Sequence, residues 1–465
     1  MRADDVCFLG IRALGAQYRE SQLSPVEATL AAFERIDRHG QRLNAWITLR
    51  RDEALAAAAE AERQLKQGRD LGPLHGIPIA IKDNIDTAGI RTTCGSRVTA
   101  TRVPSADAAV VTRLHQAGAV LLGKTNLLEF AYAVVHPDFG QCNNPWDPKR
   151  TSGGSSSGSA AAVSAGMAWA ALGTDTGGSI RIPAAYCGIV GLKPTYGLVG
   201  RSGVYPLAWS LDHVGPLTRS TDDAQLVLQA IAGSDAADPA SARVGFDPGA
   251  LGSDDLRGVR VGIVPDFLGN DLRPGISSAF ERAIGILRET GAAVREVRVP
   301  SVDACEEALN VVIAAEAASV HEPTLGARAT DYSPMARTQL EIGMMTLAVD
   351  YLRAQRLRTM IMKEFANAFE TVDVLVSPTV AHVAPADNPH PGMATRGRTR
   401  AVRRTGPFNL GGLPAISVPM GTAEDGLPAG LQIAGPWLQD ARVLRVAAAF
   451  EKQSGWMPVC PPGVR

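Results

Sequence analysis

Residues 153–197 read GGSSSGSAAAVSAGMAWAALGTDTGGSIRIPAAYCGIVGLKPTYG, and this stretch decides how the rest of the chain is interpreted. Its glycines, serines and alanines resemble low-complexity sequence, but they alternate with apolar runs that a flexible linker would lack. The runs predict a helix at 159–167 and strands at 169–173 and 188–192. Small residues between such elements indicate close contact of backbone with backbone. We therefore predict a tightly packed layer here.

Strand and helix patterns continue on both sides of this stretch. The clearest helix start lies upstream, where Ser24 is placed as an N-cap, Pro25 as the first helical residue and Glu27 as the end of a capping box. Other helices are predicted at 51–67, 107–117, 302–319, 337–369 and 439–453, and other strands at 77–82, 119–123, near 260 and 295, and within 372–379, 413–420 and 429–435. The alternation predicts an α/β fold.

Composition and charge exclude several classes of function. The 465 residues carry 46 basic and 47 acidic side chains, so no overall field attracts nucleic acid or an anionic membrane. Six cysteines without CxxC pairs predict neither a disulfide framework nor a zinc site. The start of the chain lacks the pattern of a secretory signal, and no apolar run reaches the length of a membrane span. We expect a cytoplasmic, soluble protein that acts on a small molecule.

Two glycine-rich motifs match known patterns only in part. A phosphate-binding loop requires a helix to begin after its lysine, whereas Lys193 is followed by Pro194. Gly154, Ser156 and Gly158 match the G-x-S-x-G pattern of a nucleophile elbow, but no buried strand precedes them. Neither motif therefore has the local structure that its chemistry needs.

A third possibility is a serine activated by a lysine. The chain has only seven lysines, and Lys82 ends the apolar run IPIAIK at 77–82. A lysine at a strand end is ordinarily a solvated cation, but burial would lower its pKa from about 10.4 towards neutrality. Lys82 would then be able to accept a proton from a serine. The serine-rich stretch 153–197 contains the candidate partners.

Several motifs of the chain together resemble those of a known family. GGSSSGSAAAV at 153–163, GTDTGGSIRIPAAYCGIVGLKPTYG at 173–197 and GIPIAIKDN at 76–84 closely resemble the amidase signature family of serine hydrolases. NLLEFAY, CNNPWDP, WSLDHVGPL and LPAISVP extend the resemblance over roughly residues 70–435. It implies a large, mixed, twisted β-sheet covered by helices on both faces. It also suggests an N-terminal helical segment at 1–68 and an amidase signature domain at 69–465, with a catalytic core at 75–220 and a part at 255–465 that completes the sheet and the pocket.

The resemblance implies catalytic roles for three residues. The family's lysine falls on Lys82, its bridging serine on Ser155, preceded by a cis peptide from Gly154, and its nucleophile on Ser179. The backbone amides of Thr176, Gly177, Gly178 and Ser179 are expected to form the oxyanion hole. Asp175 and Arg181 are expected to pair and to position the loop, and Ser157 or Ser159 to cap the helix that follows. No metal and no cofactor are expected.

The substrate is left open by these motifs. Family members hydrolyse amides, carbamates or ureas, or supply ammonia to a tRNA-charging complex. The leading hypothesis is a free-standing enzyme of the EC 3.5.1 type that hydrolyses a small linear amide. The alternatives are a carbamate or urea hydrolase and the amidase subunit of a tRNA-dependent amidotransferase. The oligomeric state, including a homodimer, and the need for a small partner subunit stay open.

Two regions outside the signature receive separate predictions. Leu128, Phe130, Tyr132 and Gly154 are candidates for the lining of the substrate pocket, together with 321–345 and 379–408. The arginines of 391–407 are interpreted as a solvated surface loop; they are Arg396, Arg398, Arg400, Arg403 and Arg404.

Overall fold

The computed structural model describes the chain except for residues 1–2, 133, 250, 252–253, 387–401 and 457–459. Eleven strands of the described residues form one mixed sheet, in the order β1-β3-β2-β4-β6-β5-β10-β11-β9-β7-β8. The strands are β1 Trp46–Leu49, β2 Pro78–Lys82, β3 Val120–Thr125, β4 Ala170–Asp175, β5 Val190–Lys193, β6 His213–Thr218, β7 Arg260–Ile263, β8 Ala293–Glu296, β9 Val374–Pro378, β10 Ala415–Thr422 and β11 Pro428–Ala434. The predicted α/β class is confirmed.

Fourteen α-helices of the described residues surround the sheet. Every residue of β2, β4 and β6 is buried, so both faces of the central sheet are covered. The helices are α1 Ala3–Val6, α2 Ile11–Arg19, α3 Pro25–Leu43, α4 Arg51–Lys66, α5 Ala109–Gln116, α6 Ser157–Ser164, α7 Arg181–Cys187, α8 Thr221–Ile231, α9 Pro274–Glu289, α10 Cys305–Arg328, α11 Pro334–Met344, α12 Ala348–Thr371, α13 Gly406–Leu410 and α14 Asp440–Ser454.

The sequence predicted the start of α3 correctly, but it did not predict the number of helices near residues 302–371. The capping box at Ser24 and Glu27 is present at the start of α3, as predicted. The two helices predicted at 302–319 and 337–369 are wrong in number, because α10, α11 and α12 occupy this region. Pro323 lies inside α10, and that helix continues past the predicted end. Periodicity alone did not identify the break between α11 and α12.

The N-terminal segment is not purely helical. β1 pairs antiparallel with β3 at one end of the sheet, so residues 46–49 belong to the same sheet as the signature motifs. This corrects the prediction of a helical segment over 1–68. The segment is a strand because its backbone pairs with residues 123–125 of β3, a distant partner that the local helix patterns do not reveal.

The small residues of 153–197 pack as the composition indicated. All eight residues of α6 are buried. A Cβ on Gly158 would lie 2.5 Å from the backbone nitrogen of Asn126, so the chain can approach this closely only because residue 158 is glycine. β2 runs parallel to both β3 and β4, and the carboxyl ends of β2 and β4 therefore meet at one edge of the sheet.

Candidate active site

Lys82 lies at the carboxyl end of β2, inside the protein. Its side chain is completely buried. Its Nζ donates to Ser155 Oγ at 2.7 Å and to Thr174 Oγ1 at 2.7 Å. The strand pairing produces this arrangement, because Lys82 ends one central strand and Thr174 lies near the end of the next. A lysine, a serine and a threonine thus share one buried polar cluster.

Burial changes the acidity of this lysine. Loss of solvent lowers the pKa of Lys82 to about 7, although the negative charges of Asp175 and Asp212 act to raise it. Near neutral pH a large fraction of Lys82 is therefore uncharged, with a lone pair on Nζ. Since a hydroxyl can donate as well as accept, the contact with Ser155 then allows the serine proton to move to the lysine.

Ser155 is held by the backbone on both sides. The Gly154–Ser155 peptide bond is cis. The carbonyl oxygen of Ser155 accepts from the backbone N–H of Leu128 at 3.2 Å. A Cβ on Gly154 would lie 2.7 Å from Leu128 Cδ1, so a side chain at position 154 would force Leu128 to move. The loop at 153–155 and the Leu128 segment therefore fix each other.

Ser179 lies beside this cluster and is more exposed than its neighbours. The backbone N–H of Ser156 donates to the carbonyl oxygen of Ser179 at 3.2 Å, which brings the Ser155 loop against the loop that follows β4. Ser155 is buried, whereas Ser179 is partly accessible. Of the two serines, Ser179 is thus the one that a substrate can reach.

Asp175 and Arg181 form a completely buried ion pair below the Ser179 loop. Arg181 Nε and Nη2 donate to the two carboxylate oxygens of Asp175, each at 3.0 Å. Burial by itself would raise the pKa of Asp175, but the Arg181 charge holds it well below its usual range. Asp175 also accepts from the backbone N–H groups of Gly178 and Ile180, at 2.7 and 3.1 Å. The carboxylate therefore organises the loop from inside.

One of the four backbone amides predicted for an oxyanion hole already donates a hydrogen bond within the protein. Because Gly178 N–H donates to Asp175, it is not free to bind a substrate oxygen. Among the described residues, the amides of Thr176, Gly177 and Ser179 have no hydrogen-bond acceptor. The structure therefore removes Gly178 from the predicted oxyanion hole, and the role of the other three amides stays a prediction. Gly178 is needed for another reason: its φ is +133°, and a Cβ there would collide with Thr405.

Several polar residues of the site had no role in the sequence prediction. Thr174 contacts Lys82, and its Oγ1 also accepts from Asn84 Nδ2 at 3.1 Å. Asp212 accepts from Thr176 Oγ1 at 2.6 Å, and burial raises the pKa of Asp212 to about 6. Thr174, Asn84 and Asp212 all lie inside motifs quoted above, so their position in those motifs was the available signal.

Two further partners come from distant parts of the chain. Arg181 donates to Asn409 Oδ1 at 2.6 Å and to Gln432 Oε1 at 2.7 Å. Each lies more than 220 residues after Arg181 along the chain. The sequence offers no signal that joins them to the signature.

The chain as a whole matches a family of known proteins. A protein-family model described as Amidase matches residues 27–444. The chain belongs to the amidase signature family. The match begins within α3, so it includes part of the predicted N-terminal segment.

Relatives of this amidase signature protein align over almost its full length. The A subunit of the glutamyl-tRNA(Gln) amidotransferase of Thermosynechococcus vestitus is 42% identical, over 96% of this chain and 98% of that protein. Its counterpart from Thermotoga maritima has a solved structure with a TM-score of 0.83 and 34% identity, covering 98% of each chain. The native peptide amidase of Stenotrophomonas maltophilia gives a TM-score of 0.86 at 33% identity, over 97% of this chain and 98% of that one.

The predicted lining residues of this amidase differ in their exposure. Leu128 and Gly154 contact each other beside Ser155. Phe130 is only 3% exposed, and its ring lies 4.3 Å from His321 and 5.1 Å from Tyr205, between ring centroids. Tyr132 is half-buried. The prediction for Phe130 as a lining side chain is therefore corrected to a core position, because its ring is enclosed by other aromatic rings.

Two of the flanking serines do not cap α6. Ser159 Oγ donates to the carbonyl of Leu172 at 3.0 Å, and Ser157 Oγ donates to the carbonyl of Asn126 at 3.5 Å. The predicted capping is wrong, since neither hydroxyl accepts from an amide of the helix. Ser156, the elbow candidate, is buried, and its Oγ donates to the carbonyl of Thr174 at 3.2 Å.

The arginine-rich segment is not a solvated loop throughout. Arg404 is completely buried and pairs with Asp271 at 2.7 Å, and Arg403 contacts Asp303 at 2.6 Å. The prediction is wrong for Arg404, which is buried and pairs with a carboxylate 133 positions away, whereas Arg403 stays partly exposed. Arg396, Arg398 and Arg400 lie outside the described residues.

Metal-binding clusters and helices suited to cross a membrane are both absent from the part of the chain that the structure describes. No group of three His, Cys, Asp or Glu side chains there is arranged to hold a metal ion. None of the helices within those residues has both the length and the apolar character of a membrane span.

The protonation state of Lys82 predicts how the rate of amide hydrolysis depends on pH. If uncharged Lys82 is the base, kcat/KM should rise with pH through a midpoint near 7 and then level off. Asp212→Asn removes a negative charge that raises the pKa of Lys82, so its midpoint should lie at lower pH. Initial rates between about pH 5 and pH 9 measure both profiles. A midpoint near 10, or identical midpoints in the two proteins, would contradict the assignment.

The Asp175–Arg181 pair should contribute strongly to stability. Arg181→Met leaves the Asp175 carboxylate buried without its cation, and loss of one partner of a buried pair costs about 3–5 kcal/mol. We expect a clear fall in the urea midpoint followed by circular dichroism. Arg12→Met is the matched control, because the Arg12–Asp222 pair is largely exposed and should contribute less than about 1 kcal/mol. Equal midpoints for the two variants would refute the prediction.

Proposed function

We propose that this amidase signature protein hydrolyses a carboxamide C–N bond through an acyl-enzyme on Ser179. The observation that carries the proposal is the 2.7 Å contact between the buried Lys82 Nζ and Ser155 Oγ. A desolvated lysine with a pKa near 7 is suited to accept a proton at neutral pH. We assign Ser155 as the proton carrier between Lys82 and Ser179; the backbone hydrogen bond from Ser156 N–H to the Ser179 carbonyl, which holds the two serine loops together, supports this assignment.

The reaction then runs in two halves. Ser179 Oγ attacks the amide carbonyl carbon while its proton passes to Ser155, and the Ser155 proton passes to uncharged Lys82. The carbonyl oxygen becomes negative and binds the free amides of Thr176, Gly177 and Ser179. As the C–N bond breaks, the proton returns along the same path to the leaving nitrogen. Water, deprotonated by the same path, then attacks the ester and releases the carboxylate and Ser179.

We propose further that the chain works as the A subunit of a tRNA-dependent amidotransferase. Sequence patterns alone favoured a free-standing enzyme for a small linear amide. The 42% identity to the A subunit of an amidotransferase, over nearly the full length of both chains, supports the amidotransferase hypothesis instead. The substrate would then be an amide whose ammonia is used inside the complex.

A substrate and partner test separates these possibilities. The purified chain is assayed for ammonia or amine release from glutamine, simple primary amides, anilides, a carbamate and a urea. Copurifying proteins are identified by mass spectrometry. The amidotransferase proposal expects ammonia release from glutamine that rises when copurifying subunits are present. Full turnover of an anilide, a simple amide or a carbamate by the isolated chain, with glutamine inert, would support a free-standing hydrolase.

A further inference from the structure

Two glycines stand side by side in the Ser179 loop, and the peptide between them is held at both ends. Gly177 and Gly178 have no side chain to restrict their backbone, so their dihedral angles are free to vary more than those of any other residue type. The Gly177 carbonyl nevertheless accepts from Thr405 Oγ1 at 2.5 Å, and the Gly178 N–H donates to Asp175 Oδ1 at 2.7 Å. We call the Gly177–Gly178 peptide the clamped peptide.

The two hydrogen bonds restrain opposite edges of the clamped peptide. In a trans peptide the carbonyl and the N–H point to opposite sides, so Thr405 and Asp175 hold one plane from two directions. A bond at one edge alone would leave the plane free to swing about that edge. The Gly177 N–H belongs to the peptide before this plane, and the Ser179 N–H belongs to the peptide after it. Both free amides are therefore oriented relative to a plane that Thr405 helps to fix.

Thr405 is itself held in place by the ion pair below the loop. It is completely buried, and its carbonyl oxygen accepts from Arg181 Nη1 at 2.9 Å. Because Arg181 also pairs with Asp175, these three residues and the clamped peptide form a closed ring of hydrogen bonds. Gln432 Nε2 donates to the carbonyl of Arg404 at 2.8 Å, which fixes the residue before Thr405. The Thr405 hydroxyl therefore bonds to the clamped peptide from a fixed position.

Thr405 reaches the Ser179 loop from a distant part of the chain. It lies 228 positions after Gly177, directly before α13. A Cβ on Gly178 would lie 2.3 Å from Thr405 Oγ1, so the threonine packs directly on the glycine backbone. Because Thr405 has no exposed surface, a substrate cannot contact it. Any effect of Thr405 on a reaction at Ser179 must therefore pass through the loop.

We propose that Thr405 is a positioning residue that holds the Gly177 and Ser179 amides in the orientation that stabilises the oxyanion. The inference rests on the proposed function, in which these amides bind the oxygen that becomes negative when Ser179 attacks. Such donors act best when they are already in place, because the loop then needs no reorganisation during the reaction. The bound substrate carries little charge on that oxygen before the attack. Loss of the Thr405 hydrogen bond therefore slows the chemical step more than it weakens substrate binding.

Thr405→Ala tests the role of the hydroxyl. Removal of an oxyanion donor lowers kcat by about 10²–10³-fold, and a donor that stays but is less well oriented should cause a smaller loss. For an amide that the wild-type chain hydrolyses, we expect kcat to fall at least about tenfold and KM to stay within about twofold. The rate at which a fluorophosphonate labels Ser179 should fall by a similar factor. Thr405→Ser keeps the hydroxyl and should bring both rates to within about threefold of wild type.

Thr218→Ala is the matched control. Thr218 is also completely buried, and its Oγ1 donates to the carbonyl of Ser220 at 2.8 Å, but it pairs with Ala170 at the end of β4 away from Asp175. Both alanine variants should lower the thermal midpoint of unfolding by a similar amount, and only Thr405→Ala should lose kcat. If Thr405→Ala does not fold, Thr405→Val keeps the side-chain volume without a donor and should show the same loss of kcat.

The labelling rates separate this inference from the proposed function. If the fluorophosphonate labels Ser179 equally fast in the wild-type chain and in Thr405→Ala, the role of Thr405 is overturned and the proposed nucleophile stands. An equal loss of kcat in Thr218→Ala, or no recovery in Thr405→Ser, also overturns the role of Thr405. A wild-type chain that neither hydrolyses an amide nor reacts with the fluorophosphonate overturns the proposed function and, with it, this inference.

Discussion

Replacement of Ser179 by alanine is expected to reduce kcat for amide hydrolysis by a factor on the order of 10⁶, the effect of losing the nucleophile in serine proteases. The proposed acyl-enzyme needs the Ser179 oxygen, and no other hydroxyl takes its place. Ser155 is buried and bonded to Lys82, and Ser156 donates to a backbone carbonyl. The remaining rate should come from binding and the free loop amides.

The measurement is labelling by a fluorophosphonate probe, followed by intact mass and peptide mapping. Wild-type enzyme should gain one adduct on Ser179, and Ser179→Ala should gain none. Ser156→Ala is the matched control, since Ser156 is the serine of the G-x-S-x-G pattern; it should still be labelled on residue 179. An adduct on Ser156, or full turnover by Ser179→Ala, would refute the proposed nucleophile.

Replacement of Lys82 by alanine should have the second-largest effect. General-base catalysis contributes about 10²–10⁴-fold, and here the lysine is the end of the proton path from Ser179. We expect kcat to fall by at least this factor while KM changes little. The truncated side chain leaves space beside Ser155, so added methylamine should restore part of the rate, more at a pH where the amine is uncharged.

A second buried lysine supplies the control for this experiment. Lys124 lies on the neighbouring strand, is equally buried and is 3.8 Å from Asp83, but it makes no contact with Ser155. Lys124→Met should lower thermal stability because Asp83 loses its cation, yet the folded fraction should keep kcat within about tenfold. Equal losses of kcat in the two variants would mean that any buried lysine matters here and would remove the special role of Lys82.

Local sequence predicted those features that depend on neighbours along the chain. The capping box at Ser24 and Glu27 needs residues three positions apart, and the structure contains it. The small residues of 153–197 indicated close packing of the backbone, and all eight residues of α6 are buried. The strand that ends in Lys82 was visible as an apolar run because both faces of the central sheet are covered.

Predictions from local sequence failed where the hydrogen-bond or ion-pair partner of a group decides its role. The Gly178 amide was expected to be free, but the Asp175 carboxylate folds back and accepts from it. Arg404 resembles its arginine neighbours in the sequence, yet it is buried because Asp271 is within reach. Ser157 and Ser159 were placed as helix caps, but carbonyl groups of other segments take their protons.

The sequence by itself determined the fold class and the residues available for catalysis, because strand and helix periodicity and the long signature are written into neighbouring positions. Tertiary structure alone shows which of the buried lysines has a serine hydroxyl within hydrogen-bond distance. Lys82, Lys124 and Lys193 are all buried at strand positions, and the sequence ranks them only by resemblance. The pairing of β2 with β4 is what brings Lys82 to Ser155 and Thr174. The desolvation of Lys82 and its hydrogen-bond partners result from that packing, so the residues around Lys82 in the sequence do not reveal them.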